Sequence, residues 1–299
     1  MQFIDPFQLL QLNVTDPNAA DAAMLTEAEG KLADQLSNTD GALTVNGRSL
    51  PVADAKTLIG AMQDPNARRH FWEMRSIPGL IPYLEGQPNA NPTLLINKCK
   101  EKGPEFFEFA SRWLADRLNV QMESAITAEK WSEVVILGRA TAALESKHES
   151  SAVASGTAFF EGLRARIEVA SNADVSKLSK ESIHFHQLAM LGALNSLPPS
   201  QQQLRDEVAL ALGRLISKVA TTEEGKLWTF TLFTDMMKIQ TSPAVTPKLR
   251  ALNKIVKRDS GMAEKGADHC RARRRVEISI AVTVGLFLIR LILWLTNVI

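Results

Sequence analysis

Only two cysteines occur in 299 residues, Cys99 and Cys270. Two thiols so far apart in sequence build no disulfide framework, which fits a reducing compartment. Histidine is scarce too. His184 and His186 are two apart on an expected helix and face different ways, His70 beside Arg69 and His148 beside Glu149 have no spacing partner, and His269-Cys270 is a lone dipeptide, so no metal site is expected. Net charge is only +1, and no chain-wide field draws the protein to nucleic acid. No G-x-S-x-G, P-loop, G-x-G-x-x-G or H-E-x-x-H occurs. Asp5 and Pro6 stand where a signal peptide would carry basic and then apolar residues. These absences point to a protein that is not an enzyme and needs no cofactor.

One long hydrophobic run is present, Ile278 to Ile299, interrupted by a single charge at Arg290. As a helix with about 1.5 Å of rise per residue it would be about 33 Å long, which matches a hydrocarbon core of about 30 Å. Arg271, Arg273, Arg274 and Arg275 directly precede it. The positive-inside bias then keeps the bulk of the chain cytoplasmic, and the protein is expected to be a tail-anchored, single-pass membrane protein. Arg290 near the helix centre costs about 2.5 to 3.5 kcal/mol, which the surrounding apolar residues offset. It either snorkels toward the interface beside Trp294 and Asn297 or meets an acidic or polar partner in another membrane helix. From Lys248 to Arg275 ten Lys or Arg stand against Asp259, Glu264 and Asp268. Such a segment favours anionic lipid by about 1 kcal/mol per basic residue near the surface. Nucleic acid is not the expected partner, because aromatics to stack bases are absent there.

Taken in order, Asp5-Pro6 starts a short helix with Phe7 and Leu10 three apart, and Ala19 to Leu36 has the spacing of a second helix. Asn46-Gly47 between alternating residues predicts a β-hairpin. A third helix is expected from Val52 to Gln63, and Asp64-Pro65 restarts a fourth through Arg68, Arg69, Phe71 and Trp72. Tyr83 to Pro92 is rich in turn formers and serves as the expected domain boundary. Beyond it the 3.6-residue period predicts helices over 92–102, 104–120, 128–145, 151–170, 177–197, 201–219 and 223–239, joined by short Gly-, Pro- or Ser-containing connections. Phe106-Phe107 and Phe159-Phe160 are expected in the core.

Pro6-Phe-Gln-Leu-Leu-Gln-Leu12 resembles the opening helix of J-domains, and Leu58 to Phe71, with Asp64, Pro65, Arg68 and Arg69, resembles their closing D-P-x-x-R motif. The resemblance spans about Phe3 to Met74 and implies a helical module that docks on a DnaK-type chaperone. The sequence departs from that pattern in two places. Ser37-Asn38-Thr39 occupies the position of the His-Pro-Asp tripeptide that engages the ATPase, and the second helix carries Lys31 alone where J-domains present a basic face. A degenerate module that does not stimulate such an ATPase is therefore implied.

The expected fold is all-α: a J-like module with a small hairpin insertion (1–85), an antiparallel helical bundle or solenoid (92–243), a basic juxtamembrane linker (244–277) and one transmembrane helix (278–299). The expected function is a chaperone-like adaptor or scaffold that recruits a protein partner, either a DnaK-type chaperone or another membrane protein, to an anionic membrane surface. The alternative is a subunit of a membrane complex assembled through the last helix and Arg290.

Overall fold

The computed structural model describes residues 3–12, 16, 22–37, 41–45, 47–87, 91–173, 188–221 and 223–259. They are mostly helical, with one two-stranded antiparallel sheet. The elements are α1 (Pro6–Leu9), α2 (Ala22–Ser37), β1 (Ala42–Val45), β2 (Arg48–Pro51), α3 (Val52–Met62), α4 (Pro65–Arg75) and α5 (Leu80–Leu84). They continue with α6 (Pro92–Glu101), α7 (Pro104–Thr127), α8 (Trp131–Thr141), α9 (Ser146–Ala152), α10 (Ala154–Asn172), α11 (Leu188–Ser196), α12 (Gln202–Val219), α13 (Glu223–Met236) and α14 (Thr246–Asp259).

Several helices begin at a local device that can be read from the sequence. Asp5, Asp64 and Asn91 accept hydrogen bonds from Phe7, Asn66 and Thr93 N–H groups, and each is followed by a proline at the first helical position. The side chain satisfies an otherwise orphaned donor, and the proline ring fixes φ where no N–H is needed. In the expected hairpin Leu43 pairs with Leu50 and Val45 with Arg48, and Gly47 takes the positive φ of 77° that such a two-residue turn demands. Leu43 and Leu50 are buried, on the side where the strands meet α3.

By contacts the chain divides into two compact units. The first comprises Met1–Arg166 and Gln187–Val208. The 24-residue α7 is its axis. Phe106, Phe107, Ala110, Trp113, Leu114, Leu118, Met122 and Ala125 are all buried, a face wide enough to meet α4, α5, α6, α8 and α9. The N-terminal elements close on it through rings: Phe71 lies 4.9 Å from Phe109 and 5.6 Å from Trp113, and Phe3 lies 5.3 Å from Trp113. Tyr83 Oη donates to Gln121 Oε1 at 2.7 Å, and Arg117 Nη2 donates to the Gly86 carbonyl at 3.1 Å. The turn-rich stretch 85–91 thus joins two parts that share one core. Arg205 secures the corner after α11, where its buried guanidinium donates to the carbonyls of Leu197 at 2.8 Å and Pro198 at 3.3 Å.

The second unit comprises Ile167–His186 and Ala209–Ile299. Its described core is Leu212, Leu215, Ile216 and Val219 from α12, Leu232, Phe233 and Met236 from α13, and Leu249 and Val256 from α14. Arg214 pairs with Glu168 at 3.3 Å, and Lys218 Nζ donates to the Ser171 carbonyl at 2.8 Å.

Some boundaries differ from expectation for physical reasons. α7 runs past Val120 to Thr127 because its apolar stripe continues through Met122 and Ala125, both fully buried or nearly so. The helix expected over 128–145 is shorter, since Glu129 sits at φ 54° and α8 cannot start before Trp131. The helix expected over 177–197 is described only as α11. The stretch 246–259, expected within a linker, is the helix α14. The expected membrane helix at 278–299 lies outside the described residues, and among the described residues no helix is long and apolar enough to cross a membrane.

α8 and α11 pack with the backbones in near contact. A Cβ on Gly138 would lie 2.8 Å from the Ser196 carbonyl oxygen and 2.3 Å from its hydroxyl, whereas one on Gly162 of α10 would meet nothing within 4 Å. Gly138→Ala is therefore expected to destabilise by about 1 to 3 kcal/mol despite its better helix propensity, through overpacking. Gly162→Ala should stabilise by about 0.5 to 1 kcal/mol. Thermal melts of the two variants beside the parent are expected to shift in opposite directions.

Candidate functional site

The N-terminal module brings the closing motif together at the corner between α3 and α4. Asp64 caps α4 by accepting from Asn66 N–H at 2.9 Å, and Pro65 opens the helix. Arg68 Nη1 reaches back to the Met62 carbonyl at 3.0 Å, so the last turn of α3 is held by a cation that also suits its dipole. Arg69 is half exposed and lies 3.8 Å from Glu105 and 3.9 Å from Glu73. His70 is buried between Phe106 and Phe109, its Nδ1 3.2 Å from Glu73 Oε2. The motif residues thus brace the corner and offer no nucleophile or acid–base pair.

A second polar constellation, not anticipated from sequence, ties the first residues to α4. Arg75 Nε lies 3.2 Å from Asp5 Oδ2, and its guanidinium stands 5.3 Å from the Phe7 ring centroid and 5.0 Å from that of Trp72. The Asp5 backbone N–H donates to Glu85 at 3.2 Å. Burial pushes the Asp5 carboxyl above its ordinary value, and the attraction of Arg75 and the Phe7 N–H counter this only in part. Asp5 is recognisable in sequence as a helix cap. Its pairing with Arg75 is not, because no local spacing links the two.

α2 presents a different surface. Glu27, Lys31 and Asp34 are exposed, Glu27 pairs with Lys31 at 2.7 Å, and Glu29 accepts from Gln63 beside the end of α3. The hydrogen bond from Lys31 holds the Glu27 carboxyl below its ordinary value. Between α2 and the segment Leu9–Leu12 runs a groove of about 500 Å³ with Leu9, Leu10, Met24 and Leu32 among its apolar lining and Glu27 and Asp34 among its polar groups. The exposed face of α2 is thus net acidic.

Comparison with protein-family models, curated proteins and solved structures finds no match. The likeness to J-domains therefore rests on the residues quoted for it.

Of the remaining residues singled out in sequence, Ser37 is the last residue of α2, and Asn38 and Thr39 lie outside the described residues. So do Arg271, Arg273, Arg274, Arg275 and Arg290, and likewise His184, His186, His269 and Cys270. Among the described residues no group of three His, Cys, Asp or Glu could hold a metal ion. Cys99 is buried in α6, and burial pushes its thiol up to about 12, so it is a packing residue. Phe106, Phe107 and Phe160 are core, while Phe159 is half-buried against Trp131.

The raised native pKa of Asp5 fixes the sign of a pH effect. Its contribution to stability is fully present below the unfolded value of 3.8 and is lost as pH climbs through the raised native value. Asp5→Asn keeps an oxygen for the Phe7 N–H and removes the titration. Thermal melts from about pH 3 to 7 should show the variant's stability rising relative to the parent's as the pH climbs. Parallel profiles would show that Asp5 is not the titrating group.

Proposed function

We propose that the protein is a membrane-anchored, chaperone-like adaptor that holds a protein partner at an anionic lipid surface. One observation carries this reading: a helical body leads into an apolar run, Ile278 to Ile299, immediately behind Arg271, Arg273, Arg274 and Arg275. The run anchors, the arginines orient the chain against lipid, and the N-terminal module meets the partner. The resemblance to J-domains gives the partner's class as a DnaK-type chaperone, with another membrane protein as the alternative. Docking would occur without stimulation, because Ser37-Asn38-Thr39 replaces the stimulating tripeptide and the exposed charges of α2 are Glu27 and Asp34 against Lys31.

A specific observation also favours a second reading. Arg290 is the single charge within the apolar run, and an intramembrane charge is commonly paired across helices. In this reading the chain is a subunit of a membrane complex held by a carboxylate opposite Arg290.

Three measurements bear on these readings. The full chain is expected to stay with membranes through an alkaline wash, and its release would remove the anchor from the account. Arg290→Leu should leave the wash result and the native-gel size unchanged if the protein is an adaptor, whereas a drop in size selects the complex subunit. Adding the detergent-solubilised chain to a DnaK-type chaperone should leave ATP turnover at its basal rate. A clear rise would show that the altered tripeptide position still engages the ATPase.

A further inference from the structure

The stretch 246–259 was expected to be linker, yet it is an amphipathic helix fastened to its own unit. Leu249, Leu252 and Val256 fall on one stripe at i, i+3 and i+7. Leu249 and Val256 are 1% and 4% exposed. Leu249 and Leu252 reach α12 at Gly213, where an added Cβ would lie 3.4 and 3.2 Å from them. The rest of the helix turns outward: Lys248, Arg250, Lys254 and Lys257 are exposed, together with Ala251 and Ile255.

Several cations elsewhere in the described residues are paired. Lys31, Lys147, Arg164, Arg214 and Lys238 each sit against a carboxylate. Lys248, Arg250 and Lys254 have no ion-pair partner among the described residues, and α14 contains no acidic residue before its last, Asp259. Folding has therefore placed like charges side by side on a rigid support, a cost that an anionic surface would relieve.

We propose that α14 is a folded membrane contact, which lays its cationic ridge on anionic lipid and so fixes the second unit against the bilayer. The proposal rests on the anchor reading above. Residues 260–277 separate the helix from the apolar run, and a fully extended chain of that length reaches at most about 65 Å, so the ridge stays within reach of the surface that holds the anchor. Charge complementarity selects anionic head groups, and exposed Ile255 adds an apolar side chain suited to the head-group boundary. RNA is the weaker fit, because no aromatic residue occurs from Thr246 to Arg275 to stack on bases.

The test uses the full chain in lipid nanodiscs, with Ala251→Cys as a reporter in a Cys270→Ser background, where Cys99 stays silent because it is buried. Labelling by a membrane-impermeant maleimide should slow about tenfold when phosphatidylserine replaces part of the phosphatidylcholine. About 1 M salt should restore the rate, since the screening length there is only about 3 Å. The Lys248→Gln, Arg250→Gln, Lys254→Gln variant should label fast in both lipids while remaining on the disc. Equal rates in both lipids, with the parent chain still disc-bound, would overturn the proposal and leave the anchor standing. Protection in phosphatidylcholine discs only after RNA is added would assign the ridge to nucleic acid and overturn it too. Failure of the chain to stay with the discs at all would overturn the anchor and this inference together.

Discussion

The first unit depends on the burial of α7. A helix of 24 residues is about 36 Å long, and its broad apolar face is too wide for any single neighbour to cover. Residues before and after it in the sequence therefore converge on it: Phe3 and Phe71 meet Trp113, and α8, with Val134 and Leu137 buried, packs against it. A buried phenylalanine contributes about 1.5 to 3 kcal/mol relative to an exposed one. Phe3, Phe71 and Trp113 are buried and Phe109 is half-buried among them, so losing one of the buried rings costs a sizeable part of a domain's small net stability. The elements that resemble a J-domain share the hydrophobic core of the helices that follow them, so removing them would expose Phe109 and Trp113.

The charge pattern follows from that arrangement. In the unit's interior Ser111 Oγ, Trp113 Nε1 and Trp131 Nε1 have no hydrogen-bond partner, whereas three charged or titratable groups are tied: Asp5 to Arg75, His70 to Glu73, and Arg205 to two carbonyls. Each of these three is bound because an unpaired charged or titratable group away from water costs more than the pair gains. On the outside the constraint relaxes and composition is free to encode recognition. α2 is acidic with its one lysine already engaged by Glu27, and α14 is cationic with its ridge open. The two helices would attract partners of opposite charge, cations at α2 and anions at α14.

Local structure was legible in the sequence wherever one or two adjacent residues decide it. Asp5-Pro6 and Asp64-Pro65 announced helix starts, and Asn46-Gly47 announced the hairpin, because capping and turn geometry are set within four residues. Helix ends were harder to read. α7 continues to Thr127 because Met122 and Ala125 find neighbours, and such neighbours come from elsewhere in the chain. The Asp5–Arg75 pair escaped for the same reason, since the two residues meet only once α4 has folded back on the amino-terminal strand of chain. α14 escaped for another: its run of cations matched a solvated linker, and the stripe of Leu249, Leu252 and Val256 is only three residues wide. Of the candidate site, the helix restart at Asp64-Pro65 was legible because a cap is a local device, whereas the bond from Arg68 back to the Met62 carbonyl was not, since it needs α3 and α4 already in place.

The attachment of α14 also determines how force enters the body. Any tug on the chain beyond residue 259 reaches the second unit through this helix, whose Leu249 and Leu252 side chains nest over Gly213 of α12 beside Met236 of α13. The absence of a side chain at position 213 is thus what lets a single seam pass load to all three helices of the unit's described core.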